Sequence, residues 1–363
     1  MPLISVIIPS YNHSKFIVES IDSVLCQENV DIELLIADDG SSDDTISVIR
    51  KYQSNPKITI FANKVNQGAG VVTAQLIHHS KGEYIALLNS DDFWEGKHKL
   101  YKQLKFLEEN PSFGACFGKA RFVDQNGKSI NKLTMDFGDV FDKGKNRSRG
   151  EWLRYFLSNG NCLCHPTILI RKECFNQLGT YKNSLRQLPD FDMWINLLKY
   201  YDIHIFDDEL VNFRILPGEN ASSNSNINTV RTFNEHYLIT KRYFDGISKE
   251  VLIEGFGDLI RHPDKLSDIK FLKCEVAFLL LKYDNRWLEL VYKQVAVEQL
   301  YELLNDKVTH KILKEHYNFS DRDFYSLTGG SDFFRPDFMK VAQPVTKLIK
   351  LKMFLFRLKN RMF

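Results

Sequence analysis

Two pairs of aspartates follow apolar runs in the N-terminal part of this 363-residue chain. Asp38-Asp39 ends a run that begins at Ile32, and Asp91-Asp92 comes shortly after the run over residues 84–88. Short apolar runs that alternate with helical patterns predict a parallel sheet, and the ligands of such sheets gather at the carboxyl ends of the strands. The two acidic pairs therefore predict a site for a cation and a nucleotide.

Alternating strand and helix patterns would position these acids. The sequence predicts strands over residues 3–9, 32–38, 57–62 and 84–88, and helices over residues 15–26, 42–53, 71–79 and 98–109. Ser41 is the expected N-cap of the second helix, with Asp44 as a variant of the capping box. The alternation is typical of βαβ units joined by right-handed crossovers.

After the fourth predicted helix, the alternation of single strands and helices ends. A predicted strand over residues 113–123 is followed by Asn126-Gly127, a hairpin signal that should bring an antiparallel element into the sheet. The predicted fold class is α/β, with a Rossmann-like, mixed and mostly parallel sheet flanked by helices. After Thr229 apolar residues recur at helical spacing. We therefore predict an α/β domain over residues 1–228, a helical C-terminal region over residues 229–335 and a tail helix over residues 336–363.

Composition describes a globular protein. The chain is 44% hydrophobic and 26% charged, and it lacks a run of about 20 apolar residues that could cross a bilayer. Its six cysteines are scattered and form no CxxC motif, so reduced thiols are expected. With no basic, apolar leader at the N-terminus, these features predict a cytoplasmic protein.

The basic residues are concentrated in the tail. Residues 340–363 hold seven basic and no acidic side chains, which leaves 41 basic against 46 acidic residues elsewhere. Leu and Phe mixed with these charges fit a helix on an anionic membrane surface, peripheral at the inner face of the plasma membrane. They fit equally well a helix packed on its own protein or on a second subunit, as in a homodimer. Nucleic acid binding is not expected, because the rest of the chain is acidic.

Several motifs occur in an order that resembles family 2 glycosyltransferases of the GT-A fold. They are Ser5–Asn12, Asp38–Thr45, Asn66–Gly68, Gly82–Asp92, His165–Thr167, Leu178–Tyr181, Pro189–Trp194 and Phe213-Arg214. The resemblance covers residues 3–225. It implies transfer of a sugar from a nucleotide sugar with inversion, using Mn²⁺ or Mg²⁺ and no covalent intermediate.

The resemblance also implies roles for the acidic pairs. Asp92 would bind the metal, and Asp91 would contact the ribose or assist the metal. Such a cation suits the chemistry, because the leaving diphosphate gains negative charge. The simpler interpretation is that Asp91-Asp92 only caps a helix.

The predicted nucleotide site lies at the ends of the first two strands. By the resemblance, Asp39 would accept a hydrogen bond from the imide of uracil, with Asp38 beside it, while Pro9 and Tyr11 would form the wall of the base and ribose. A uridine nucleotide is therefore favoured, with guanosine and thymidine nucleotides left open. Asn66 and Gly68 would lie near the donor, although a simple turn explains the glycine equally well.

The chemical step needs a carboxylate that accepts the proton of the attacking hydroxyl. By the resemblance Asp190 is the candidate, and Asp192 is the reserve because the two would lie on different faces of a helix. Arg214 would contact the pyrophosphate or an active-site loop.

The predicted substrates are a UDP-sugar donor and a glycan or lipid-linked saccharide acceptor in surface polysaccharide synthesis. Two other functions stay open: a nucleotide-sugar-binding protein without catalysis, and a sugar-phosphate nucleotidyltransferase. The second is disfavoured, because no Gly-rich phosphate loop with a Lys or Arg follows the first strand.

Overall fold

A computed structural model describes residues 3–331 and residue 333, apart from residues 136, 217–224, 284 and 286. Within these residues eight strands form one sheet. The strands are β1 (Leu3–Ser10), β2 (Asp31–Asp38), β3 (Ile58–Ala62), β4 (Tyr84–Leu87), β5 (Phe93–Trp94), β6 (Phe113–Val123), β7 (Leu169–Arg171) and β8 (Asp202–Arg214).

Helices flank the sheet and make up the C-terminal region. They are α1 (Ile17–Leu25), α2 (Thr45–Ile49), α3 (Ala69–His79), α4 (Lys99–Glu109), α5 (Arg149–Asn159), α6 (Lys172–Leu178), α7 (Pro189–Leu198), α8 (Asn226–Thr240), α9 (Lys249–Phe256), α10 (Ile269–Lys282), α11 (Glu289–Asn305), α12 (Lys307–Tyr317) and α13 (Asp321–Gly330).

The sheet is mixed, as predicted, with strand order β3-β2-β1-β4-β7-β6-β8-β5. Strands β1 to β4 are parallel to one another, and β7 lies antiparallel between β4 and β6. The Asn126-Gly127 turn forms with a positive φ at Gly127, but it leads only to one antiparallel bridge, between Val123 and Ser129. The strand β8 pairs with β6 along its length instead, and it does so in parallel.

Alternate residues of β1 belong to two different cores, because successive side chains of a strand point to opposite faces. Ile4, Val6 and Ile8 pack with α1 and α4 on one face, whereas Ile7 packs on the other face with the large core that includes Trp152. Burial on both faces explains why β1, β2 and β4 are near-continuous apolar runs. Their carboxyl ends are fixed together, and this edge of the sheet carries the acidic pairs.

The predicted capping box at Ser41 is wrong. Helix α2 begins at Thr45, with Asp44 at the N-cap position and no side-chain cap bond from that residue. The hydroxyl of Ser41 accepts the backbone N–H of Asn12 instead, at 2.9 Å. The Asp43 carboxylate accepts the N–H of Thr45 at 3.0 Å, so the loop stays non-helical for three more residues.

The helical region packs directly on the α/β domain. Ile239 of α8 and Phe256 of α9 share the large core with Trp152 of α5 and Phe191 of α7. The domain boundary predicted at residue 228 falls inside α8 and stays a prediction. The predicted tail helix over residues 336–363 lies outside the described residues. In the part of the chain that the structure describes, no helix is long and apolar enough to cross a membrane.

Candidate active site

A cavity of about 160 Å³ opens at the carboxyl ends of β1 and β4. Pro9 and Leu87–Asn89 line its sheet side, and Ala69, Gly70 and Thr73 of α3 form a second wall. The remaining wall consists of His165, Tyr181, Arg186, Gln187, Pro189 and Asp190. The cavity thus brings the predicted base, Asp190, opposite the strand ends that were predicted to bind the donor.

The turn after β4 buries both of its aspartates, and Asp92 faces into the protein. Its Oδ1 accepts the backbone N–H of Arg214 at 2.7 Å, and its Oδ2 accepts the side-chain amide of Asn89 at 2.9 Å. Burial and the adjacent charge of Asp91 raise the pKa of Asp92 well above its usual range. Both oxygens of the predicted metal ligand are therefore used within the fold.

Asp91 has a different environment. Burial raises its pKa, whereas the nearby His13 and Arg214 oppose that rise. His13 itself is held at the turn by a 2.7 Å hydrogen bond between its Nδ1 and the hydroxyl of Ser90. Two adjacent buried carboxylates repel each other, and a divalent cation would relieve this repulsion.

The donor set fits such a cation only as part of a shared site. Among the described residues there is no group of three or more His, Cys, Asp or Glu side chains that could hold a metal. Mg²⁺ and Mn²⁺ are commonly bound by one or two carboxylates together with substrate phosphates and water. Asp91 and Asp92 are the carboxylates of this turn that could contribute to such a site, and Asp92 would keep its hydrogen bonds from Arg214 and Asn89 at the same time.

Arg214 is a buried support for this turn, with 1% of its surface exposed. Its Nε donates to the carbonyl of Asp91 at 2.7 Å, its Nη1 donates to the carbonyls of Asp124 and Gln125, and its Nη2 donates to Glu19. Arg214 therefore links the turn after β4 to the loop at residues 124–125 and to α1, and its predicted role at an active-site loop stays a prediction. The geometry does not favour the predicted contact with pyrophosphate, because the guanidinium is directed at these internal acceptors.

Asp39 ties β2 to the loop before α3. Its carboxylate accepts the backbone N–H groups of Gln67, at 2.9 Å, and of Gly68, at 2.8 Å, and also the side-chain amide of Asn63. Gly68 has φ +93°, a conformation that favours glycine. The predicted bond from Asp39 to a nucleobase would have to compete with these three internal donors.

One carboxylate oxygen of Asp38 accepts no hydrogen bond from the described residues. Its Oδ2 accepts the N–H of Ser41 at 3.2 Å, whereas its Oδ1 is buried without a hydrogen-bond partner among the described residues. Buried acceptors are usually satisfied, so this oxygen is suited to a donor supplied by a ligand or by water. Of the other predicted nucleotide-site residues, Pro9 lines the cavity, while Tyr11 and Asn66 are exposed near these strand ends.

Asp190 and Asp192 diverge as predicted for neighbouring positions of one helix. Asp190, in the first turn of α7, is partly exposed to the cavity, and burial raises its pKa to about 6. Its Oδ2 accepts the side-chain amide of Asn161 at 3.0 Å. Asp192 is buried and forms a 2.8 Å ion pair with Lys182. Only Asp190 is positioned to act on a ligand in the cavity.

Two aromatic groups complete the wall beside Asp190. The Nε2 of His165 lies 2.9 Å from the hydroxyl of Tyr181. Burial lowers the pKa of His165 to about 4, so this imidazole is neutral at physiological pH. Burial and the neighbouring Asp190 hold the pKa of Tyr181 well above its usual range. The wall therefore offers a neutral hydroxyl and a neutral imidazole for hydrogen bonds with a ligand.

Sequence reasoning missed two residues that support the site. Asn161 holds the Asp190 carboxylate, and Glu235 of α8 accepts backbone N–H groups of residues 186–188. Neither belongs to a motif, and each lies far along the chain from its partner. No local signal marks either residue: on α8 the apolar Ile227, Val230 and Leu238 are exposed while Glu235 is buried, so the sequence does not show which face of this helix is covered.

Comparison with known proteins identifies relatives of this chain. A profile described as Glycosyl transferase family 2 matches residues 5–179. The putative teichuronic acid biosynthesis glycosyltransferase TuaG of Bacillus subtilis is 31% identical over 204 residues, which are 54% of this chain and 73% of TuaG. Chondroitin synthase of Escherichia coli is 28% identical over 223 residues, and the match covers 61% of this chain but only 30% of that longer protein.

Solved structures share the fold. Staphylococcus aureus TarS 1-349 in complex with UDP-GlcNAc superimposes with a TM-score of 0.55 and 18% identity, covering 87% of this chain and 91% of that chain. The mannosyltransferase PcManGT from Pyrobaculum calidifontis, in complex with GDP-Man and Mn²⁺, has a TM-score of 0.50 and 16% identity, covering 83% and 88%. With the TuaG match and the motifs at the strand ends, these findings identify the chain as a family 2 glycosyltransferase with a GT-A-like fold.

Proposed function

We propose that this glycosyltransferase transfers a sugar from a UDP-sugar, with inversion and with help from a divalent cation, to a hydroxyl of a glycan or lipid-linked saccharide. The observation that carries the proposal is the position of Asp190, a carboxylate of raised pKa in a cavity between the acidic turn after β4 and the segment before α7. A base whose pKa lies just below the working pH is mostly ionised and still accepts a proton well.

The residues that line the cavity would have separate roles in the transfer. Asp190 would accept the proton of the attacking hydroxyl, while Asn161 holds its Oδ2. Attack by the acceptor hydroxyl in a single displacement, without a covalent intermediate, inverts the anomeric carbon. Tyr181 and His165 would orient the sugars by hydrogen bonds from the same wall.

Asp92 would hold Mn²⁺ or Mg²⁺ together with Asp91, and Asp92 would also keep the turn in place through its hydrogen bond from Arg214. When bound, such a cation offsets the negative charge that develops on the leaving diphosphate. Support comes from the repulsion between the two buried carboxylates and from the Mn²⁺ in the related mannosyltransferase structure.

A uridine nucleotide is supported by the related structure with UDP-GlcNAc. Asp38 and Asp39 would meet the base at the end of β2, near Pro9 and Tyr11. Because the carboxylate of Asp39 already accepts N–H groups of the loop before α3, the Oδ1 of Asp38, which has no hydrogen-bond partner among the described residues, is the acceptor that would remain for an imide N–H. The guanosine donor of the other related structure keeps a GDP-sugar as the alternative.

A role in surface polysaccharide synthesis is supported by the resemblance to TuaG, whose description places it in teichuronic acid biosynthesis. The proposed attachment of the tail to an anionic membrane, or to a second subunit, concerns residues outside the described ones. It is tested by comparing the full chain with a variant lacking residues 340–363 in liposome flotation and in light scattering.

Thermal melting against UDP, GDP, dTDP and CMP, each with and without Mn²⁺, tests the donor class. A ligand that binds only the folded state raises its melting temperature by mass action. We expect a shift with UDP that is larger with Mn²⁺. An equal response to all four nucleotides, or none, would contradict the proposed donor. A UDP shift without UDP release from any donor would instead favour a non-catalytic binding protein.

A further inference from the structure

A carboxylate from the C-terminal helices reaches the wall of the cavity. Glu235 of α8 is buried, with 4% of its surface exposed. One of its oxygens accepts the backbone N–H of Arg186, and the other accepts those of Gln187 and Leu188, each at 2.8 Å. Hydrogen bonds to an ionised acceptor are stronger than those between neutral groups. Glu235 therefore fixes three consecutive peptide units of one short loop.

This loop forms part of the cavity and leads into the catalytic helix. Arg186 and Gln187 line the cavity, and Leu188 is the N-cap residue of α7. Asp190 follows two residues later, in the first turn of α7. Because the N-cap is held by Glu235, the start of α7 and the direction of the Asp190 side chain depend on this contact.

We propose that Glu235 is a positioning residue for the acceptor side of the reaction, through which the C-terminal helices set the geometry of the base and of the acceptor wall. The inference rests on the proposed function, because it assumes that Asp190 is the base. The donor side is built from β1, β2 and β4 and does not contact Glu235 in the hydrogen bonds described. Loss of Glu235 should therefore separate acceptor use from donor binding.

Glu275 of α10 provides a matched control within the same region. It is also buried, at 1% exposed, and its carboxylate accepts the N–H groups of Arg261, at 2.9 Å, and His262, at 2.8 Å. It also accepts the hydroxyl of Tyr317 at 2.7 Å. Its loop does not line the cavity. A general loss of packing in the helical region would affect both glutamates, whereas a positioning role belongs to Glu235 alone.

The test compares Glu235→Gln, Glu235→Asp and Glu275→Gln in the full chain. UDP-N-acetylglucosamine serves as donor and a panel of p-nitrophenyl glycosides as acceptors, with UDP release as the readout. Misplacement of a catalytic group by about 1 Å can lower the rate about 10²-fold. We expect kcat/KM for the acceptor to fall roughly 10- to 10²-fold in Glu235→Gln. Glu235→Asp should recover part of the loss, because it keeps a carboxylate.

The melting shift produced by UDP should be the same in the wild type and in all three variants. Equal kcat/KM in Glu235→Gln and the wild type would overturn the inference, and so would an equal loss in Glu275→Gln. Hydrogen exchange provides a readout that needs no acceptor: the amides of residues 186–188 should exchange faster in Glu235→Gln and not in Glu275→Gln. Unchanged exchange there also overturns the inference, whereas a wild type that releases no UDP with any glycoside counts against the proposed function.

Discussion

Replacing Asp190 by asparagine should remove turnover and at the same time stabilise the folded protein. Burial raises the pKa of Asp190 from 3.8 to about 6, so the carboxylate is less stable in the folded chain than in the unfolded chain. This rise in the pKa corresponds to a loss of roughly 3 kcal/mol in the free energy of unfolding at neutral pH. Asparagine keeps an acceptor for the N–H of Phe191 but loses the bond from Asn161, worth about 1 kcal/mol.

The net expectation is a rise in the free energy of unfolding of about 1–2 kcal/mol at pH 8. The difference in the free energy of unfolding between the variant and the wild type depends on pH. The pKa in the folded state is the higher one, so between pH 4 and pH 6 the unfolded chain ionises first and the wild type loses stability. Below pH 4 both states are protonated, so the advantage of the variant should disappear there.

Urea unfolding at pH 8 and pH 4 measures the stability difference, and UDP release measures turnover, which should fall by roughly 10² to 10⁴. Asp192→Asn is the matched control. It breaks the ion pair of a buried carboxylate with Lys182 and should lower stability while UDP release stays near the wild-type rate. An Asp190→Asn protein that is less stable than the wild type and still active would contradict both the buried, destabilised carboxylate and its role as the base.

Three further predictions concern the base, the metal and the support of the turn after β4. First, the acid limb of the kcat/KM profile for UDP release should have a midpoint near pH 6, because burial raises the pKa of Asp190 to about 6 in the free protein. A limb near pH 4 would point to a different, exposed carboxylate. Second, Asp92→Asn and Asp91→Asn should each reduce the Mn²⁺-dependent part of the UDP melting shift, because the two carboxylates would hold the cation together with the diphosphate. A Mn²⁺-dependent shift that is unchanged in both variants would contradict the proposed metal site. Third, Arg214→Lys should lower the free energy of unfolding by at least about 2 kcal/mol in urea titrations. The reason is that lysine cannot reach the carbonyls of Asp91, Asp124 and Gln125 together. An unchanged urea midpoint of unfolding would mean that these hydrogen bonds contribute little to stability.

The sequence was informative where structure is local. Strands β1, β2 and β4 are buried on both faces, so they are continuous apolar runs with recognisable ends. The acids that follow them were therefore placed at the correct edge of the sheet. Asp190 also lines the cavity, while its role as the base stays a prediction.

The sequence was less informative where a side chain finds its partner far along the chain. Whether Asp92 faces a ligand or the interior depends on the backbone of Arg214, which β8 brings across the sheet. The carboxylate of Asp39 is likewise occupied by amides of the loop at Gln67 and Gly68. The anchoring of residues 186–188 by Glu235 needs α8 to pack beside α7, which no periodic pattern predicts.

The most direct test of the central claim is to identify the product of transfer. The purified protein is incubated with Mn²⁺, p-nitrophenyl glycosides and UDP-sugars whose anomeric configuration is known, and the new linkage is read by NMR. We expect transfer from a UDP-sugar with the opposite anomeric configuration in the product, and loss of this transfer in Asp190→Asn. Retention of configuration, or transfer that is undiminished in Asp190→Asn, would contradict it.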